Sequence, residues 1–232
     1  CIRDRLNSRA ELISVKDNDE ILKIKKNNLF KYSPHDKLGS IFKFNDSINN
    51  HITDILNLPI INVSAIKHCN FSGVVDGINS SGGIAVPMLL EKLNVDVKKI
   101  NCTPNGIFTH NPEPLKENLT ELCDVVKKNK SNFGIAVDPD VDRLVFVDER
   151  GEMFGEEYTL VACSDYVLSK SPGSIVSNLS SSRALPDLAK QYGVNHFTSA
   201  VGEFHVVEKM KAVKAVIAVS YTHLRAHETE RN

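Results

Sequence analysis

A chain of 232 residues, 41% hydrophobic and 25% charged, has length for one to three domains and enough apolar residues to bury a core. A formal net charge of -1 excludes a strongly basic nucleic-acid surface as a property of the whole chain, so no nucleic-acid partner is expected. Five cysteines, odd in number, far apart and in no C-x-x-C pair, exclude a disulfide framework or a zinc knuckle and fit a reducing cytoplasm.

The start lacks the basic-then-apolar pattern of a signal peptide, and no apolar run approaches the roughly 18 residues of a bilayer span. A soluble, cytoplasmic protein with no membrane partner is expected. Residues 1–68 are rich in Asn, Lys and Asp. Their short amphipathic stretches DEILKIKKN and DSINNHITDILNLPI read as helices around a loop, the end of a first domain and its linker.

Residues 69–151 change character. FSGVVD reads as a strand, NSSGG as a tight turn or a phosphate cradle at a helix start, GIAVPMLLEKL as a helix and VDVKKI as a second strand, which makes a βαβ unit. PLKENLTELCDVVKKN then reads as one helix with Leu115, Leu119, Leu122 and Val126 along one face, followed by the strand FGIAVD and, after an acidic loop, RLVFVDERGEMFG as a strand and turn. In residues 152–219, EEYTLVACSDYVLSK reads as a long helix. SIVSNL, RALPDLAKQYG, HFTSA, GEFHVVEKMK and AVIAV continue as alternating strand and helix. The fold class expected is therefore α/β, two layered domains with mainly parallel sheets, preceded by a partial first domain. Residues 220–232 break the pattern and read as a foreign tail, and the opening CIRDR reads similarly, as a junction.

The chemistry sits in GIAVDPDVDRLVFVD. Residues two apart in an extended or looping chain can point the same way, so Asp138, Asp140 and Asp142 can converge. Three converging carboxylates repel one another unless a cation is present, and Mg²⁺, a hard ion that takes oxygen ligands, relieves the repulsion. The loop follows a strand, where open α/β sheets place ligands, and Arg143 adds a fork for a phosphate oxygen. An exposed turn built on Pro139 is the plain alternative. A calcium loop of the EF-hand type finds its Glu at Glu149 but has Arg143 where it needs Gly, and a strand where it needs a helix. A haloacid-dehalogenase-type phosphatase would use the first Asp of DPDV as its nucleophile, and a non-catalytic metal-binding module is the remaining alternative.

The loop with its neighbours resembles the α-D-phosphohexomutases, the phosphoglucomutase and phosphomannomutase family. That family's metal loop, D-G-D-G-D-R, stands here as Asp138-Pro-Asp-Val-Asp-Arg143 with both glycines replaced. VVDGINSSGG is similar to the turn that opens the family's second domain, TPNGIFTHNPEPLKENL to its P-x-G-x-F…P-E-P-L-x-x-N-L segment, and VGEFHVVEKM to a V-G stretch of its third. The resemblance implies reversible phosphoryl transfer between the 1 and 6 positions of a hexose phosphate through a phosphoserine. Asp138, Asp140 and Asp142 would hold Mg²⁺ and Arg143 would lie beside the phosphate. The family's T-A-S-H-N-P serine loop does not stand in these residues, and AVKAVIAVS runs into the break at residue 220 where the family would show its G-E-x-x-G sugar loop. An incomplete phosphohexomutase that does not turn over by itself is expected, its preferred hexose and oligomeric state unknown.

Overall fold

The computed structural model describes residues 5–9, 11–179 and 181–219. The expectations for residues 220–232, and for residues 1–4 of the opening CIRDR, lie outside the described residues. Three helices come first: α1 (Val15–Lys26), α2 (Ser47–Leu56) and the short α3 (Val63–His68). Ser14 caps α1 by accepting from the Asp17 N–H, yet the helix buries no residue. Residues 21–47 are exposed throughout, Leu29, Phe30, Phe42 and Phe44 among them. Helix α2 buries Ile52, which is 2% exposed, and packs on a helix of the sheet domain that follows.

That domain contains β1 (Ser72–Asp76), α4 (Gly82–Lys92), β2 (Asp96–Ile100), α5 (Thr120–Asn129), β3 (Phe133–Val137), β4 (Leu144–Val147) and β5 (Met153–Phe154). The strands run in the order β2-β1-β3-β4-β5, with β1 parallel to β2 and β3, and the β3-β4 and β4-β5 pairs antiparallel. Because side chains alternate across a strand, Val74 packs toward α5 with Leu119, Leu122 and Val126, while Val75 faces α4 with Leu90, Ile135 and Val137. Both valines are fully buried, a gain of about 1.5–3 kcal/mol each.

Helix α6 (Glu156–Lys170) leads to the second sheet, made of β6 (Ile175–Asn178), β7 (His196–Ser199) and β8 (Ile217–Val219) in the order β7-β6-β8, all parallel, with α7 (Ala184–Tyr192) and α8 (Glu203–Val213) as crossovers. Gly193, at φ +66°, ends α7 in the left-handed conformation that glycine adopts at no steric cost. Leu168, Ile175 and Leu185 form this sheet's core on one face, Val176 and Val206 on the other.

The α/β layering with mainly parallel pairing is present, and the element order follows the hydrophobic periodicity. The helix expected from Pro114 is shorter: α5 starts at Thr120, after one 3-10 turn over Lys116–Asn118. Glu113 precedes Pro114, which disfavours helical backbone, and the Asn118 side chain donates to the Glu113 carbonyl at 2.8 Å. Leu119, Leu122 and Val126 are buried as the pattern requires, whereas Leu115 lies outside the helix.

Candidate functional site

Residues 138–143 join β3 to β4, two antiparallel strands paired through Val137 and Leu144. The Asp138 carbonyl accepts the Val141 N–H at 3.1 Å, a four-residue turn with Pro139 in the second place, where its fixed φ is suited. The turn is held from below. Ser80 Oγ and Ser81 Oγ both donate to the Pro139 carbonyl, at 2.7 and 3.0 Å. Gly82 lies so close to β3 that a Cβ there would come within 2.3 Å of a Val137 methyl carbon. The NSSGG turn thus acts as a clamp. The amides of Asn79, Ser80, Gly83 and Ile84 are all bonded to backbone carbonyls, which leaves none of these four for a phosphate cradle. Val141 takes φ +64°, a left-handed conformation costly for a β-branched residue, at a place where the metal loop it resembles carries glycine.

The structure brings Asp138, Asp140 and Asp142 together, each offering a carboxylate oxygen within 4.8 Å of the others. Asp138 is 7% exposed, and Asp140 and Asp142 face solvent. Burial first, then the neighbouring Asp142 and Asp140 carboxyls, push Asp138 up to about 7, against the Arg143 backbone N–H that donates to its Oδ1 at 3.0 Å. A carboxyl raised so far marks a site short of positive charge. The Arg143 guanidinium does not supply it, because Nη1 is bonded to Glu113 instead. An all-oxygen, anionic donor set of this kind fits a hard divalent cation and suits no thiophilic metal.

Beside the loop stands a group that sequence reasoning missed. Asp76, 1% exposed at the end of β1, accepts from the Ile78 N–H at 3.0 Å through Oδ1. Its Oδ2 accepts from Asn101 Nδ2 at 3.1 Å and lies 3.0 Å from His110 Nε2. The Asn79 side chain bonds Thr103 N and Ile107 O, so it ties the same 101–113 segment to the turn. The signal was a run of polar turn-formers, TPNGIFTHNPEP, with no apolar periodicity. Elsewhere, Glu203 opens α8 as a first-turn carboxylate, and Ser182 Oγ accepts from the Ala184 N–H at the start of α7.

Comparison with known proteins gives these residues a context. The family model described as phosphoglucomutase/phosphomannomutase, alpha/beta/alpha domain II, matches residues 49–151, and the model for domain III matches residues 155–221. A phosphoglucomutase/phosphomannomutase of Thermococcus kodakarensis is 34% identical over 183 residues, which is 78% of this chain and 40% of the relative. A phosphoglucosamine mutase of Methanococcus maripaludis is 27% identical over 217 residues, 90% of this chain and 47% of its own length. The chain thus spans less than half the length of either relative. The crystal structure of a phosphoglucomutase/phosphomannomutase family protein from Burkholderia thailandensis superposes with a TM-score of 0.74 at 22% identity, covering 90% of this chain and 44% of that one, a likeness of fold.

Proposed function

Because this chain belongs to the phosphoglucomutase/phosphomannomutase family, we propose that it is part of a phosphohexomutase that moves a phosphoryl group between the 1 and 6 positions of a hexose phosphate. Asp138, Asp140 and Asp142 are the ligands of a Mg²⁺ ion, and Arg143 is the residue beside the transferring phosphate. The observation that carries this is the convergence of three carboxylates, one of them buried and raised to about 7, on one point at the end of β3. The haloacid-dehalogenase reading uses the first Asp after an opening strand, whereas Asp138 follows β3, third in its sheet by sequence.

Bound there, Mg²⁺ supplies positive charge that neutralises phosphoryl oxygens as charge develops on them. The chain's own part is positional. Ser80 and Ser81 fix the turn from which the ligands project, and the Arg143 N–H orients Asp138. The four described cysteines are free, in keeping with the reducing cytoplasm we propose as its setting. Among the described residues no helix is long and apolar enough to cross a membrane. The sugar is a hexose phosphate, glucose or mannose phosphate in the first instance. The phosphoglucosamine relatives place glucosamine phosphate on the same assay panel.

The test is calorimetric titration of the chain with Mg²⁺. Asp140→Asn removes a ligand charge and should weaken binding at least about ten-fold. Without metal it should leave the thermal midpoint no lower than that of the wild type, because it also relieves repulsion among the three carboxylates. Unchanged Mg²⁺ affinity in Asp140→Asn would remove the loop from the site.

A further inference from the structure

The guanidinium of Arg143 is engaged before any phosphate arrives. Its Nη1 donates to Glu113 Oε2, its Nε is buried without a partner, and the side chain as a whole is only 20% exposed. Arginine and glutamate often meet on surfaces with little consequence. Here the carboxylate is delivered by a built arm. The Glu113 N–H donates to Asn111 Oδ1 at 3.2 Å, and its carbonyl accepts from Asn118 Nδ2 at 2.8 Å, so side chains hold both backbone groups of this one residue. Next to it, His110 is tied at both ring nitrogens, Nδ1 lying 2.8 Å from the Asn111 carbonyl and Nε2 lying 3.0 Å from the buried Asp76 carboxylate. From the floor of the sheet to the aspartate loop the order is Asp76, His110, Asn111, Glu113, Arg143, Asp138. The segment that forms this arm is THNPEP, whose chemistry the metal site leaves unused.

The arm has an electrostatic cost. It brings a fourth carboxylate to the arginine beside three aspartates that already converge. A carboxylate and a phosphate oxygen both use the in-plane N–H donors of the fork, and they cannot share one donor without crowding two negative charges together. We infer that Glu113 is the resident counter-ion of Arg143, a positioning residue that holds the guanidinium down at the loop and yields Nη1 to an incoming phosphoryl group. The inference rests on the reading of Arg143 as the phosphate contact. It assigns Glu113 two consequences: phosphate binds more weakly than the bare site would allow, and the fork is already aimed when phosphate takes over.

The experiment uses the 232-residue chain saturated with Mg²⁺ and titrated with inorganic phosphate, followed by calorimetry. Glu113→Gln keeps the shape and an acceptor oxygen but removes the charge. It should bind phosphate at least about five-fold more tightly than the wild type, since one negative charge no longer competes at close range. A residue that only braced the arm would leave phosphate affinity unchanged or lower it when replaced, so equal or weaker binding overturns the inference while the metal reading stands. Should Glu113→Gln fail to fold, the wild-type chain decides through the ¹⁵N resonance of Arg143 Nε–H. A shift of that resonance on adding phosphate supports the exchange of partners, and its constancy at saturating phosphate overturns it. If the wild type binds Mg²⁺ but no phosphate, the inference falls with the role of Arg143. If it binds no Mg²⁺, the reading of the site itself has failed.

Discussion

Val141 carries the sharpest local conflict between residue type and backbone. Its φ of +64° sets a β-branched side chain in left-handed backbone, a cost of about 1–2 kcal/mol. Glycine would remove that cost but give back about 0.4–1 kcal/mol in freedom of the unfolded chain. Val141→Gly is therefore expected to stabilise the metal-free protein by up to about 1.5 kcal/mol, read as a rise in the urea or thermal midpoint, and a lower midpoint would show that the valine packs well enough to outweigh its strain. At this scale the aspartates were legible because their spacing by two is itself the chemical signal. Asp76 and Glu113 were not, since a carboxylate acquires its partner from a segment distant in sequence. His110 is 34 residues from the Asp76 it meets, and Arg143 is 30 from Glu113.

Elements place these residues, and a pH-dependent contact joins two of them. His196 begins β7 with its Nε2 2.9 Å from Ser177 Oγ of β6, and burial holds its pKa below the ordinary 6.5. The folded protein then resists a proton that the unfolded chain accepts. Stability from this group is complete above 6.5 and is lost as pH falls through that value toward the lower folded one. Between pH 7 and pH 5 the thermal midpoint of His196→Gln should fall less than that of the wild type. Asp138, whose shift has the opposite sign, is common to both proteins and cancels in the difference. Identical falls would sink the prediction. Strands and helices were legible wherever one face is apolar at a fixed period, as in α5 and around β1. The start of α5 was misplaced because Leu115 continues the period while Pro114 and the Asn118 side chain divert the backbone. The pairing of β5 with β4 was not legible either, since two residues carry no period.

For the molecule as a whole, the function we propose implies binding without the complete reaction. These residues contain no T-A-S-H-N-P segment to supply a phosphoserine, and positioning a nucleophile contributes a large share of any such rate. The 232-residue chain alone is expected to bind Mg²⁺ and give no sustained product in a coupled assay with glucose 1-phosphate or mannose 1-phosphate, Mg²⁺ and the bisphosphate activator. Steady turnover would refute this. The α/β architecture was legible over both sheets because each crossover shows a change from strand period to helix period. The first sixty residues offered less, and the structure shows why: α1 buries nothing, and residues 21–47 are exposed throughout. That exposure bears on how the protein survives handling. Lys31, Lys37 and Lys43 lie where no packed side chain must be displaced for backbone to enter a protease cleft. Among the described residues, brief trypsin treatment would therefore sever the chain between α1 and α2 first, and release a fragment that keeps α2 on α4 and carries both sheets intact.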